Sequence, residues 1–324
     1  MSKYVIGVDG GGTHTKSILV RDDGQVLGTI ASGATNFQQL GVEGVKKVCQ
    51  DILTEMGKKF YLSATQIACW GVGLAGAGRE HDRRIVVETI EALGFAGRVI
   101  VQSDAYVALT GAFLGKPGIV LICGTGSMSI GMNQKGEIAR TGGWGYLLGD
   151  EGSGYDIGRR ALVAALKDFD QRGSRTRLRS KLERYFGMAT IDQIIPKIYS
   201  KEIGKDQIAA LAPIVFETAS EGDLVAANII DTVIVDMASL ILSVAKKLGF
   251  HEETPLVVAC SGSVFNQKDV LFPKLSAQVA TVYPNVSISQ PRFEPVVGAA
   301  IMALEKIGIQ PTEDVLDNLS RFNK

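Results

Sequence analysis

The sequence has little of several features that would restrict its class. Only nine of its 324 residues are proline and only four are cysteine, and the cysteines form no C-x-x-C pair. Such scattered cysteines predict reduced, mostly buried thiols in a cytoplasmic protein rather than disulfides, and their spacing gives no signal for a metal cluster. No charge of one sign predominates, because 34 Lys and Arg balance 34 Asp and Glu. That balance disfavours nucleic acid and acidic membranes as partners.

Long hydrophobic segments are also missing. The opening residues, MSKYVIGVDGG, lack a basic stretch followed by an apolar core and a cleavage site, which predicts no signal peptide. No run approaches the roughly 20 apolar residues that span a bilayer, so no membrane segment is expected. What remains is 46% hydrophobic and rich in glycine. This composition is typical of an α/β protein, and the length suits two domains of about 100–200 residues each.

Strand and helix patterns alternate along the chain. Strands at 5–8, 17–20 and 25–27 are joined by short turns, which predicts an antiparallel meander. Apolar periodicity and turn residues predict further strands at 67–74, 98–102 and 256–259 and helices at 42–56, 82–93, 105–114, 153–169, 206–220, 224–248 and 296–307.

The strongest linker is Gly115-Lys116-Pro117-Gly118, and beyond it the opening pattern recurs. Strand, glycine-rich turn and strand follow one another again through residues 119–132. The recurrence predicts two domains built on one plan. We assign residues 1–116 to the first domain, with 309–324 packing on it, and 117–308 to the second.

A polar, basic run occupies residues 170–184. A nucleic-acid site is one interpretation of such a run. The absence of interleaved aromatics and the zero net charge favour the other, a solvated loop and helix face.

The first candidate for chemistry is the turn after Asp9, in VDGGGTHT. Glycines such as Gly11 and Gly12 allow backbone N–H groups to converge on phosphate oxygens, and Thr13 adds a hydroxyl. Asp9 ends a strand just before the turn, where one carboxylate together with phosphates and water can hold Mg²⁺. A tight hairpin with an incidental aspartate explains the same residues, and the turn alone does not decide between them.

Two familiar phosphate loops do not fit this turn. A Walker loop needs glycine directly before its lysine, whereas Thr15 precedes Lys16. A dinucleotide fingerprint needs a helix after the glycines, and the pattern here predicts a strand.

Two later segments repeat the arrangement of glycine after a strand. Gly124-Thr125-Gly126-Ser127 offers a second donor-rich turn, with a plain β-turn as the alternative. Gly262 follows the buried strand at 256–259, and ligands of open α/β sheets bind beyond the carboxyl ends of strands. In this order, the three segments resemble the two phosphate segments and the adenosine segment of the actin-like ATPase superfamily.

A narrower resemblance covers nearly the whole chain. VDGGGT, Thr35-Asn36, GLAGAG, SDA, GTGS and above all GGWGYLLGDEGSGYDIG look like the N-acetylglucosamine kinases of the BadF/BadG-type ATPase family. They are also similar to bacterial kinases of N-acetylmuramic acid and N-acetylglucosamine. The resemblance implies two actin-like, ribonuclease H-like domains of the α/β class with a ligand cleft between them.

The resemblance also implies roles for individual residues. Asp104 would be the base that deprotonates the sugar hydroxyl; the alternative is an N-cap for the helix at 105–114. Trp144 would contact sugar, with a place in the core as its alternative. The implied sugar contacts are Asn36, Asp104, Ser127, Gly143, Trp144, Gly145 and Asp150. The implied ATP contacts are Gly11, Gly12, Thr13, Thr125, Ala219 and Gly262, of which Ala219 also suits ordinary helix packing.

The expected activity is therefore ATP- and Mg²⁺-dependent phosphorylation of N-acetylglucosamine or N-acetylmuramic acid at the 6-hydroxyl, by a cytoplasmic homodimer. A glucosamine kinase and a dehydratase-activating ATPase with an iron–sulfur cluster remain as alternatives. Hexokinases with a zinc-bound cysteine cluster are disfavoured by the cysteine spacing. A non-catalytic sugar sensor is disfavoured because it would need neither a metal aspartate nor a base.

Overall fold

A computed structural model describes residues 3–12, 14–95 and 97–323. Thr13, an expected phosphate contact, lies outside them. The strands are β1 Tyr4–Gly10, β2 Thr15–Arg21, β3 Val26–Ser32, β4 Ile67–Leu74, β5 Arg98–Ser103, β6 Gly118–Cys123, β7 Ser127–Met132, β8 Ile138–Gly142, β9 Leu256–Ser261 and β10 Val286–Ser289. The α-helices are α1 Phe37–Phe60, α2 Glu80–Glu91, α3 Asp104–Phe113, α4 Gly154–Phe169, α5 Arg177–Phe186, α6 Ile194–Tyr199, α7 Lys205–Ala209, α8 Ala212–Ser220, α9 Leu224–Lys247, α10 Lys268–Ala280, α11 Pro295–Lys306 and α12 Glu313–Ser320.

The strands form two five-stranded sheets with the same topology. The orders are β3-β2-β1-β4-β5 and β8-β7-β6-β9-β10. In each sheet the first three strands in sequence are antiparallel neighbours, and the last two add parallel to the first. The predicted antiparallel meander and the predicted repeat of one plan are both confirmed. So is the α/β class, with a ribonuclease H-like sheet in each unit.

The chain folds into two compact units. Unit 1 contains residues 1–116 and 291–324, and unit 2 contains residues 117–290. The expected second boundary, at residue 308, differs from this division, because α11 packs in unit 1. A Cβ on Gly7 would lie 2.6 Å from the Val296 carbonyl oxygen, and one on Gly71 would lie 2.0 Å from that of Ala299. These glycines of β1 and β4 let α11 lie directly against the sheet.

The predicted helix at 206–220 is wrong as a single element. It consists of α7 and α8, which are separated at residues 210–211. Pro213 lies in the first turn of α8, where its missing N–H needs no partner. The periodicity continues through both pieces, so the apolar pattern alone did not show the break.

Helix α1 begins earlier than predicted and contains a kink. Asn36 caps it by accepting a hydrogen bond from the Gln38 backbone N–H at 3.0 Å. Gly41 then interrupts the helix with φ +62°, a left-handed conformation that glycine tolerates best. The apolar pattern used for the prediction starts only after this kink.

Helix α9 is central to the core of unit 2. Eleven of its residues are buried, including Ile230, Val233 and Ile241. By length and mean hydropathy, 1.9 over its most apolar window, it is long and apolar enough to cross a bilayer. Length and composition alone are weak evidence for a membrane span, so the expectation of no membrane segment stays a prediction. Half of that window is buried inside the protein, as in the core helix of a globular domain.

Candidate active site

Asp9 and Asp104 lie at the carboxyl edge of the unit 1 sheet. Asp9 pairs with Gly73 in the β1–β4 register, and Gly73 pairs with Gln102 in the β4–β5 register. Asp104 follows β5 directly as the first residue of α3. A Cβ on Gly73 would lie 2.3 Å from the Val107 side chain, so glycine between the two aspartates is what lets α3 approach the sheet.

The N-cap of α3 is Ser103 rather than Asp104. The Ser103 hydroxyl accepts from the Tyr106 backbone N–H at 3.2 Å. Asp104 accepts from its neighbour Ala105 through one oxygen, at 2.9 Å. The alternative that made Asp104 the cap is corrected, because the capping role belongs to the preceding serine.

Negative charge accumulates around Asp9. Burial, with added repulsion from Asp104 and Glu294, raises the pKa of the Asp9 carboxyl to about 7, although the nearby Lys16 opposes the shift. Lys16 faces Asp9 in the β1–β2 register and forms an ion pair with Glu294 at the N-terminus of α11. Desolvation and the repulsion from these neighbouring carboxylates both disfavour the charged form of Asp9.

Sequence reasoning missed Glu294 and Lys16. They are 278 positions apart, and only the packing of α11 on β1 brings them together. The sole local signal is that Glu294 and Pro295 directly precede the helix predicted at 296–307.

Asn36 lies in the same unit, but its side-chain amide oxygen caps the N-terminus of α1. Its neighbour Gln38 donates to the Gly76 carbonyl at 3.0 Å and to Asp82 at 3.0 Å. A Cβ on Gly76 would lie 2.8 Å from the Asn36 side-chain oxygen. The GLAGAG turn and the start of α1 are therefore packed together.

In unit 2, Asp150 is held against the turn that begins β7. Its carboxylate accepts from the Ser127 backbone N–H at 3.3 Å, while the Ser127 hydroxyl donates to the Glu151 carbonyl at 2.6 Å. Asp150 has φ +64°, a conformation that costs a non-glycine residue free energy and is concentrated at functional sites. Burial raises the pKa of its carboxyl above the ordinary value, against the effect of the backbone donors.

Gly262 joins the turns after β6 and β9. It has φ +106°, and a Cβ there would lie 2.3 Å from the Cys123 carbonyl oxygen, so only glycine fits. The two strands are parallel neighbours, and their carboxyl-end turns, including Gly124 and Thr125, meet at one edge. The Thr125 hydroxyl donates to Asp206 at 3.2 Å. Ala219 lies partly buried against the unit 2 core, in accord with the packing alternative given for it.

The loop after β8 is exposed and apolar. Trp144 is 66% exposed, which corrects the alternative that placed it in the core; the Arg140 guanidinium lies 5.2 Å from its ring centre. Gly143 and Gly145 on either side have φ of +71° and +85°. Leu147 and Leu148 are 79% and 83% exposed, so the loop presents an apolar surface to solvent. The sequence analysis did not identify this surface.

The four cysteines are free and buried. Burial raises the pKa of Cys49 and Cys69 to about 12 and raises those of Cys123 and Cys260 further. Burial therefore disfavours the thiolate, the form in which a cysteine acts as a nucleophile. Among residues 3–12, 14–95 and 97–323, no group of three or more His, Cys, Asp or Glu is placed to hold a metal by itself.

The sheet topology, the paired glycine turns and the carboxylates at their edges define a nucleotide-using protein of the actin-like fold. The chain belongs to the BadF/BadG/BcrA/BcrD ATPase family, whose model matches residues 6–303. The protein therefore uses ATP.

Individual relatives are similar over almost their full length. An N-acetylmuramic acid/N-acetylglucosamine kinase of Clostridium acetobutylicum is 35% identical, across 93% of this chain and 98% of that protein. An N-acetyl-D-glucosamine kinase of Dictyostelium discoideum is 36% identical, across 94% and 99%. The structure of a proposed N-acetylglucosamine kinase from Chromobacterium violaceum superposes with a TM-score of 0.71 at 27% identity, covering 92% of this chain and 97% of that one.

Proposed function

We propose that the protein transfers the γ-phosphate of ATP to the 6-hydroxyl of an N-acetylated amino sugar, N-acetylglucosamine or N-acetylmuramic acid. The observation that carries the proposal is the position of Asp104, which begins α3 beside Asp9 while Ser103 performs the capping. The names of the two curated relatives supply the acceptor class. Phosphoryl transfer needs positioning and charge stabilisation more than covalent chemistry, and the carboxylates at the sheet edges suit that task.

Asp104 acts in this proposal as the base that accepts the proton of the attacking hydroxyl. Asp150 and Asn36 bind sugar hydroxyls. Ser127 and the exposed Gly143-Trp144-Gly145 segment hold the ring and its acetamido group. The buried, left-handed Asp150 is preorganised for this, since the Ser127 backbone already fixes one of its oxygens.

Asp9 is the proposed anchor for Mg²⁺. Magnesium commonly takes one or two carboxylates and completes its shell with phosphates and water, and this suits a site in which Asp9 faces acidic neighbours without a three-ligand protein cage among the described residues. Bound there, the ion would neutralise charge on the transferring phosphate. The backbone of Gly11 and Gly12 would supply donors beside it.

The remaining nucleotide contacts are proposed at Thr13, Thr125, Gly262 and Ala219. Gly262 and Thr125 belong to turns that meet at one edge of unit 2, which supports their joint role. Ala219 has the least support, since it packs on the core.

Two alternatives within the same family are less well supported. A dehydratase-activating ATPase needs cysteines for an iron–sulfur cluster, whereas these four cysteines are scattered along the sequence and buried. A glucosamine kinase would share the fold and differ in acceptor. We further propose a homodimer that works in the cytoplasm; both rest on family resemblance, and light scattering of the purified protein measures the first.

The test is a coupled ADP-release assay with N-acetylglucosamine, N-acetylmuramic acid, glucosamine and glucose. We expect kcat/KM to be highest for one of the two acetylated sugars. Preference for glucosamine would support the alternative acceptor, and activity on none of the amino sugars would refute the kinase assignment.

The role of Asp104 is tested by comparing Asp104→Asn with Ser103→Ala. Loss of a general base is expected to lower kcat by roughly 100-fold or more, with a smaller change in sugar KM. Ser103→Ala removes the helix cap and should cost about 1 kcal/mol of stability while kcat stays near wild type. If both variants lose the same activity, the effect comes from the helix terminus and not from the carboxylate.

A further inference from the structure

A cavity separate from the candidate active-site residues lies within unit 2, beside helices α4 and α9 and the loop after α4. Its volume is about 610 Å³, within the range of roughly 300–1,000 Å³ usual for small-molecule sites. None of the residues proposed above for ATP, sugar or metal lines it. The lining residues are Arg159, Arg160, Val163, Ala164, Lys167, Arg172, Gly173, Ser174, Val225, Asn228, Ile229 and Thr232.

The lining carries charge of one sign. Four of the twelve described lining residues are Arg or Lys and none is Asp or Glu. This asymmetry occurs in a chain whose acidic and basic residues balance overall. A concave surface with several cations focuses positive potential and attracts anions.

The carboxylates that compensate this charge lie behind the cations. Asp156, with a side chain only 7% exposed, accepts from Arg160 at 2.8 Å and from Arg159 at 3.2 Å. Arg160 also donates to Asp236 at 2.7 Å. The Arg160 guanidinium is therefore fixed by two carboxylates before any ligand arrives, which lowers the entropic cost of binding.

Arg172 and Lys167 complete the cationic lining, and other groups suit an organic body. Arg172 is held by Asp170 through Nε at 2.8 Å, which leaves its outer N–H groups for a ligand. Ser174, Asn228 and Thr232 supply neutral polar groups, and four aliphatic residues supply apolar wall. Self-association through this face is disfavoured, because a two-fold contact would set the cations against their own copies.

Asp156 also connects the cavity to the Asp150 turn. The same oxygen that accepts from Arg160 accepts from the Gly152 backbone N–H at 3.2 Å. Gly152 is two residues from Asp150, the proposed sugar ligand. An anion bound beside Arg159 and Arg160 would weaken their charge pairing with Asp156 without displacing Arg160, and would so alter the support of that turn.

We propose that this cavity binds a phosphate-bearing metabolite, a small phosphomonoester such as a sugar phosphate, as a second ligand outside the reaction. Guanidinium and ammonium groups pair well with the two charges of a phosphomonoester. Occupation of the cavity weakens acceptor binding through Asp156 and the Asp150 turn. The binding site itself does not depend on the proposed kinase reaction.

The test is isothermal titration calorimetry of the full protein with N-acetylglucosamine 6-phosphate and, separately, inorganic phosphate. The protein is first saturated with a non-hydrolysable ATP analogue and N-acetylglucosamine, so that the proposed active site is filled. We expect one equivalent of the sugar phosphate to bind. Arg172→Gln and Lys167→Gln should each weaken that binding about 10-fold, whereas Arg184→Gln, an exposed cation on α5, should bind like wild type.

Kinase activity without added phosphate ester should be unchanged in all three variants, so a failed kinase assignment and a failed cavity assignment are separable. If inorganic phosphate binds as tightly as the sugar phosphate, the proposal of a phosphomonoester ligand is overturned and the ligand is the free anion. Absence of binding, or equal weakening in Arg184→Gln, would overturn the site. In the wild-type protein, the sugar phosphate should raise the KM for the acceptor sugar without competing with ATP. Arg172→Gln should suppress that effect.

Discussion

Several residues of the candidate site are held in states that cost the fold free energy. Asp9 is crowded by Asp104 and Glu294, which raise the pKa of its carboxyl, and Asp150 is both buried and left-handed. A packed protein without a ligand gains nothing from these choices. Unfavourable local states maintained by their surroundings mark places where a ligand supplies the missing interaction.

The Asp9 carboxyl gives a prediction about stability and pH. Its pKa is about 7 in the fold against an ordinary 3.8. Between these values the folded protein retains a proton that the unfolded chain releases, so stability falls as pH rises from about 4 to about 7. Asp9→Asn removes this effect and should raise the free energy of unfolding at pH 8 by on the order of 2 kcal/mol, with little difference near pH 4.

Chemical denaturation of wild type and Asp9→Asn at both pH values measures the difference. Asp51→Asn, an exposed aspartate on α1, is the matched control and should change little at either pH. The same Asp9→Asn variant is expected to lose metal-dependent activity. A variant less stable than wild type at pH 8 would contradict the electrostatic account of Asp9.

Asp9 was singled out because it ends a strand before a glycine-rich turn, whereas the expected role of Asp104 came from the family resemblance. The sequence did not predict that Ser103 caps α3, since either residue is a suitable N-cap. The pairing of Lys16 with Glu294 could not be predicted from the sequence for another reason. Their contact depends on α11 returning to β1, and no local pattern encodes that return.

At the scale of elements, local patterns predicted most strands and the longer helices of the sheet layers, but not β10, α6, α10 or α12. β4 matches its expected range of 67–74, and α9 ends one residue early. Errors occurred where one residue overrode periodicity, as Gly41 does in α1 and Pro213 does at the start of α8.

The close contact of α11 with α3 predicts an unusual response to alanine. In a helix, Gly→Ala ordinarily stabilises by up to about 1 kcal/mol. A Cβ on Gly298, however, would lie 2.1 Å from the Val107 carbonyl oxygen and 2.6 Å from the Gly111 nitrogen. Backbone atoms cannot rotate away, so Gly298→Ala should destabilise unit 1 by about 3 kcal/mol or more.

The matched control is Gly57→Ala in α1, where the added Cβ would lie 3.4 Å from its nearest neighbour, the Leu62 carbonyl oxygen. That variant should be neutral or slightly more stable. Urea denaturation of both variants measures the contrast. Equal stability of the two would mean that α3 and α11 separate without cost.

At the scale of the whole molecule, the two sheets share one strand order although their helices differ. The sequence revealed this duplication through its repeated strand–turn–strand pattern and its Gly-Pro linker. It did not reveal that the chain returns to unit 1 at Pro291, because the segment before α11 has no comparable linker. The apolar residues of α11 fit either sheet as a pattern, and only the glycines on β1 and β4 admit its backbone.

This return predicts that truncation affects the units unequally. A chain ending at Gln290 retains all of unit 2 but loses residues 291–324, whose buried side chains, including Phe293, Val297 and Leu319, form a core layer against the unit 1 sheet. Losing such a layer removes far more apolar burial than a unit of this size can spare. We expect amides of β1 and β4 to lose protection in hydrogen exchange while those of β6, β9 and α9 keep theirs. A chain ending at Gln310, which lacks only α12, should show a smaller loss confined to unit 1. Protection that falls equally in both units would show that the core of unit 2 cannot stand without unit 1.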